Sequence, residues 1–142
     1  MEILYEDNHI IIVNKQAGEI IQGDKTGDRT VADEIKTYLK EKYNKLGAVF
    51  LGIPHRLDRP VSGVSIFART SKALARLNEM FRKGEIEKTY QAIVIHEPQI
   101  ASGTLEHWLT RNEKQNKAYA HKAPQKNAKK AILDYKVEAK SD

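Results

Sequence analysis

The chain contains no cysteine, which removes disulfide staples, thiolate metal sites and cysteine nucleophiles together. No run approaches the roughly 18 apolar residues that span a bilayer as a helix. The N-terminus carries Glu2, Glu6 and Asp7 around short apolar runs, without the basic start, apolar core and small-residue cleavage site of a signal peptide. A cytoplasmic protein with no membrane partner is therefore expected. Also missing are a Gly-rich phosphate loop, an internal repeat and a low-complexity tract.

What is present is close to globular averages, with 40% hydrophobic and 30% charged residues. A length of 142 residues suits one domain that buries about two-thirds of its unfolded surface. The net charge of +5 is unevenly placed: residues 111–130 carry seven cations against Glu113 alone, so the remainder is slightly negative. A basic stretch that also holds Tyr119 and His121 can track phosphates and offer rings to bases. It can equally be a solvated hairpin kept soluble by its lysines.

Apolar runs at 3–5 and 10–13, separated by Glu6-Asp7-Asn8-His9, predict a hairpin. A short strand is expected at 19–22 and a polar loop at 23–28. Thr30 is a predicted N-cap for a helix over 31–45, with Val31, Ile35, Tyr38 and Leu39 at helical spacing. Strands are expected at 48–53, 64–68 and 87–94. Ser71 is the candidate N-cap of a second helix that carries Leu74, Leu77, Met80 and Phe81 and stops at Gly84. Further β segments are expected at 103–109, 118–120 and 131–139. The pattern predicts an α+β fold, with a mixed, largely antiparallel sheet and flanking helices.

The most informative run is HRLDRPVSGV at 55–64. It sets Asp58 between Arg56 and Arg59, and positive charge on both sides favours the charged carboxylate. Such a group can act as a nucleophile, a base, or a stabiliser of positive charge at a sugar carbon. Asp, Pro, Ser and Gly are also ordinary turn formers, so a purely structural turn is the competing explanation.

Two other segments bear on that choice. The run HIIIVNKQAG at 9–18 and the run EKTYQA at 87–92 stand in order around the Asp58 motif. Together the three resemble the RluA-type pseudouridine synthases: HRLD-x-x-(T/S)-S-G, an N-terminal NKPAG element, and a K-x-Y-x-A strand. The resemblance implies the catalytic fold of that family and a conversion of uridine to pseudouridine within RNA, with no cofactor and no metal. It implies that Asp58 is the catalytic aspartate, either attacking the ribose anomeric carbon or deprotonating the sugar. Tyr90 corresponds to the tyrosine that stacks on the target base. Arg56 corresponds to the arginine that fills the place of the extruded base, and His55 to a loop-positioning histidine. Arg59 and Lys88 join them as RNA-contacting cations.

Gln16 replaces the family's proline, and Val61 stands where threonine is common. The lost hydroxyl would cost about 1 kcal/mol if its hydrogen bond were buried. Neither change touches the carboxylate. The resemblance further implies a downstream TGRxHQIR segment, which has no counterpart here, and residues 1–142 match the N-terminal part of the catalytic domain without an S4 domain. The expectation is an incomplete fold, with self-association through unpaired sheet edges. Three readings follow: a synthase acting on rRNA or tRNA, a catalytically incomplete RNA-binding fragment of one, and an unrelated glycosidase. The last lacks a second candidate carboxylate.

Overall fold

The computed structural model describes residues 1–23, 27–115 and 117–140. Part of the loop expected at 23–28 therefore lies outside the described residues. The chain forms two compact units, residues 1–89 and 90–142.

In the first unit, β1 (Glu2–Glu6) and β2 (Ile10–Lys15) form the expected hairpin, and β2 pairs antiparallel with β3 (Gly63–Ala68) in the order β1-β2-β3. The hairpin turn is built by Asp7, whose carboxylate accepts the N–H groups of His9 and Ile10, both at 2.7 Å. Alternation along β2 and β3 sends Ile11, Val13, Lys15, Ser65 and Phe67 to one buried face. Helix α1 (Val31–Lys42) covers that face with Val31, Ile35 and Leu39. Helix α2 (Ser71–Lys83) covers the other, where Ala73 and Leu77 meet Ala68, Ile10 and Ile66. The unit is thus a sheet between two helices.

The helix ends follow local chemistry. Thr30 caps α1 in a reciprocal capping box with Asp33. The cap of α2 is Thr70, one residue before the expected Ser71, because its extended backbone lets the hydroxyl accept from the N–H of Ala73. Gly84 ends α2 in the left-handed region at φ +72°. Near the hairpin turn, the Glu6 carboxylate gathers Tyr38, Lys42, Tyr43 and Arg69, tying β1 to the end of α1 and to the chain after β3.

The expected strand at 48–53 is reduced to one bridge between Gly52 and Ala68. Pro54 has no N–H with which to extend the ladder. Residues 19–22 form no strand either; instead the carbonyls of Ile20 and Ile21 accept the first N–H groups of α1 from Val31 and Ala32.

In the second unit, β4 (Ser102–Asn112) is the centre of an antiparallel sheet, with β5 (Lys117–His121) on one side and β6 (Lys129–Lys136) on the other. The strand expected over 87–94 is not formed. Its β propensity has no partner among the described residues, and an unpaired strand leaves its backbone polar groups to water. Ile93 and Ile95 accordingly stand almost wholly exposed. All the ladders among the described residues are antiparallel.

Candidate functional site

The loop between Gly52 and Gly63 leaves the edge of β3 and returns into the strand. At its start, Gly52 exchanges two backbone hydrogen bonds with Ala68. The next inward-facing donor on that edge, the N–H of Ile66, goes to the Nε2 of His55 at 3.0 Å. A side chain thus takes the place a neighbouring strand would fill. The accepting Nε2 must be unprotonated, which places the proton of neutral His55 on Nδ1. The ring also lies 5.0 Å from that of Phe81 on α2. Burial pushes the His55 imidazole below its ordinary value, and the positive charge of Lys88 adds to the effect.

Beyond His55 the burial alternates. Leu57 points into the core, whereas Arg56 and Asp58 on either side of it are exposed. Residues 58–61 form a turn closed by the N–H of Val61 donating to the carbonyl of Asp58 at 3.0 Å. At Gly63 the backbone takes φ +131°, where a side chain would be strained, before entering β3.

What fixes this turn is Lys15. Its side chain is fully buried at the end of the apolar face of β2. Its Nζ donates to the carbonyls of Gln16, Asp58, Arg59 and Val61 at 2.5 to 3.2 Å. Burial lowers its pKa, while Glu19 and Asp58 pull the other way. The 9–18 run contributes a second tie: Gly18, at φ +91°, donates its N–H to the carbonyl of Arg59 at 2.8 Å and accepts from the Arg59 Nε. The three ties from Lys15, Gly18 and His55 hold the main chain and leave the Asp58 carboxylate in solvent.

The sequence paired Asp58 with two arginines, and the structure does not. Arg59 turns to Asp28, with Nη2 2.8 Å from its carboxylate. Among the described residues neither Arg56 nor Asp58 forms an ion pair. The structure brings His55, Arg56, Asp58 and Arg59 into one loop, with Lys88 near enough to act on His55. Tyr90 lies in the second unit and is 60% exposed, outside any strand. Lys15 and Gly18 belong to the 9–18 run, but the sequence gives them no role of their own. The available signal was the alternation of β2, which puts a lysine at a core-facing position. Among the described residues no three His, Cys, Asp or Glu side chains gather as a metal set. Chemically, the loop offers a solvent-facing carboxylate and guanidinium on a backbone that is held in place.

Comparisons with known proteins bear on the family and the fold. A family model described as RNA pseudouridylate synthase matches residues 9–141. An RNA pseudouridine synthase of Chlorobaculum parvum is 37% identical over 142 aligned residues, covering 95% of this chain and 42% of that protein. A tRNA pseudouridine synthase C of Vibrio parahaemolyticus is 33% identical, covering 99% of this chain and 54% of that protein. A ribosomal large subunit pseudouridine synthase C of Escherichia coli is 37% identical over 92 residues, covering 65% of this chain and 27% of that protein. Among solved structures, human RNA pseudouridylate synthase domain containing 4 superposes with a TM-score of 0.76 at 22% identity. It is covered to 52%, and this chain to 95%. The chain therefore spans about half the length, or less, of the relatives it matches.

Proposed function

The chain belongs to the RNA pseudouridylate synthase family, and from that premise we propose that it isomerises uridine to pseudouridine within structured RNA. The observation that carries the proposal is the Asp58 carboxylate, exposed on a turn whose backbone is tied from Lys15, Gly18 and His55. A catalytic group must be held to a fraction of an ångström while remaining open to its substrate, and this loop meets both conditions.

In the proposed reaction the target uridine leaves the RNA stack, at a cost of a few kcal/mol. Arg56, exposed two residues before Asp58, fills the vacated position. Asp58 either attacks the ribose C1′ or removes a sugar proton, and in both routes the C1′–N1 bond breaks. The base turns on the ring of Tyr90, and C5 bonds to C1′ as the bond from C1′ to the Asp58 carboxylate breaks or, in the other route, as the sugar regains its proton. The proton from C5 passes to solvent and N1 takes one up. His55 positions the loop through Ile66, and Arg59 and Lys88 contact the RNA. The substrate is rRNA or tRNA, and the protein is cytoplasmic. Self-association through unpaired sheet edges belongs to the same proposal.

The test is RNA carrying tritium at C5 of uridine. Release of tritium that Asp58→Ala abolishes is expected. The second reading is RNA binding without isomerisation, and salt-dependent RNA binding with no release from the parent chain would establish that reading instead.

A further inference from the structure

The proposed chemistry uses the Asp58 loop and Tyr90 and leaves the sheet of β4, β5 and β6 without a role. Its two faces are unlike. Residues paired across an antiparallel ladder share a face, and alternate residues switch faces. The ladders put Leu105, Leu109 and Leu133 on one side together with His107, Arg111 and Tyr135, and the three leucines are exposed there. The other side carries Trp108, Tyr119 and His121, together with Ile132 and several charged side chains. Trp108 is the ladder partner of both His121 and Lys130, and Thr110 is the partner of Tyr119.

The side-chain contacts agree with this assignment. Lys130 Nζ stands 5.9 Å from the centre of the Trp108 ring and 2.8 Å from the carboxylate of Glu106. Thr110 Oγ1 lies 2.9 Å from His121 Nε2, and Tyr119 donates its hydroxyl to the side chain of Gln115 at 2.7 Å. Tyr119 is 43% exposed, while Trp108 and His121 are partly so. Lys117 is on the same face, opposite Asn112, and the connecting turns add Lys114, Lys122 and Lys126.

Trp108, Tyr119 and His121 are gathered on the face opposite the three leucines, and all three keep part of their surface open to solvent. Flanked by lysines, they match what unpaired nucleic acid requires: π-faces for bases and cations for phosphates. A pleated surface also presents such rings at spacings that splayed RNA bases can meet. We propose that this face is a second RNA contact surface, on which unpaired nucleotides stack against Tyr119, Trp108 and His121 while Lys117 and Lys130 hold phosphates. It rests on the synthase reading only for the choice of RNA as the nucleic acid.

Trp108 is the chain's single tryptophan, so intrinsic fluorescence reports this face alone. Titration of the whole chain with an unstructured oligouridine should quench Trp108 saturably, and added salt should weaken the binding. Tyr119→Ala should weaken binding roughly five- to a hundredfold, whereas Tyr119→Phe, which keeps the ring, should bind like the parent. Lys117→Ala should reduce the salt slope by about 0.7, the value of one phosphate contact on a single strand. The proposal is overturned if labelled RNA binds with Trp108 emission unchanged, if it does not bind at all, or if Tyr119→Ala matches the parent. Emission that shifts with protein concentration in the absence of RNA, marking a protein partner on the face, overturns it too. The binding readout needs no turnover: tritium release with a silent Trp108 sinks this inference alone, and quenching without release sinks only the catalytic reading.

Discussion

The Nζ of Lys15 lies 3.1 Å from the backbone carbonyl of Asp58, so a fully buried cation holds the Asp58 loop by its main chain, while among the described residues the carboxylate forms no ion pair. The loop's shape and its chemistry are thereby assigned to different residues, and their contributions can be separated by experiment.

Lys15→Met keeps most of the side-chain volume but leaves the turn carbonyls without their donor. Each buried group that loses its partner costs about 1–3 kcal/mol, and part of that is recovered where water enters. A net loss of about 2–4 kcal/mol in urea unfolding is expected, with disordering of the 58–61 turn. A variant as stable as the parent would contradict the anchoring role.

Asp58→Asn should behave in the opposite way. The carboxylate is exposed and unpaired among the described residues, so stability should stay within about 0.5 kcal/mol of the parent. A large drop in the thermal midpoint would show that the side chain, and not only the backbone, holds the turn together.

His55 offers a pH handle. Its folded pKa lies below the ordinary 6.5 because of burial, so folding favours the neutral ring that accepts from Ile66. The resulting stability is fully present above pH 6.5 and is lost as pH falls through the folded pKa. The ring resonances of His55 in an NMR titration should show a midpoint below 6.5. His55→Ala should cost about 1–3 kcal/mol, since the Ile66 N–H loses its acceptor.

Glu6 governs the acid side. Burial alone would raise its carboxyl, but hydrogen bonds from Lys42, Tyr43 and Tyr38 outweigh this and hold it at about 2, against an ordinary 4.5. Stability from this group is present above about pH 4.5 and declines as pH falls towards 2, by at most about 3 kcal/mol. Glu6→Gln should flatten that part of the stability curve. An unchanged acid slope in equilibrium unfolding would remove Glu6 as its source.

Local chemistry was legible in the sequence. The Asp7 turn, the Thr30 cap and the Gly84 stop were expected and are formed, because each depends on groups within about four residues of one another. The run at 87–94 was legible only as propensity. A strand exists through its neighbour, and among the described residues that run has none. The Asp58 loop was recognisable as a motif, yet its electrostatics were misjudged, since nothing local says that Arg59 will choose Asp28, 31 residues away, over the carboxylate beside it.

By itself, then, the sequence determined the hairpin, the helices, the α+β class and the identity of the Asp58 motif, all of which are written in short-range spacing and residue chemistry. The tertiary structure decided what holds that motif: Lys15 reaching carbonyls 43 to 46 residues on, and His55 standing in for a strand beside Ile66. Such contacts depend on where the folded chain returns in space. A lysine at the end of an apolar strand becomes an anchor only once a loop brings its carbonyls to meet it.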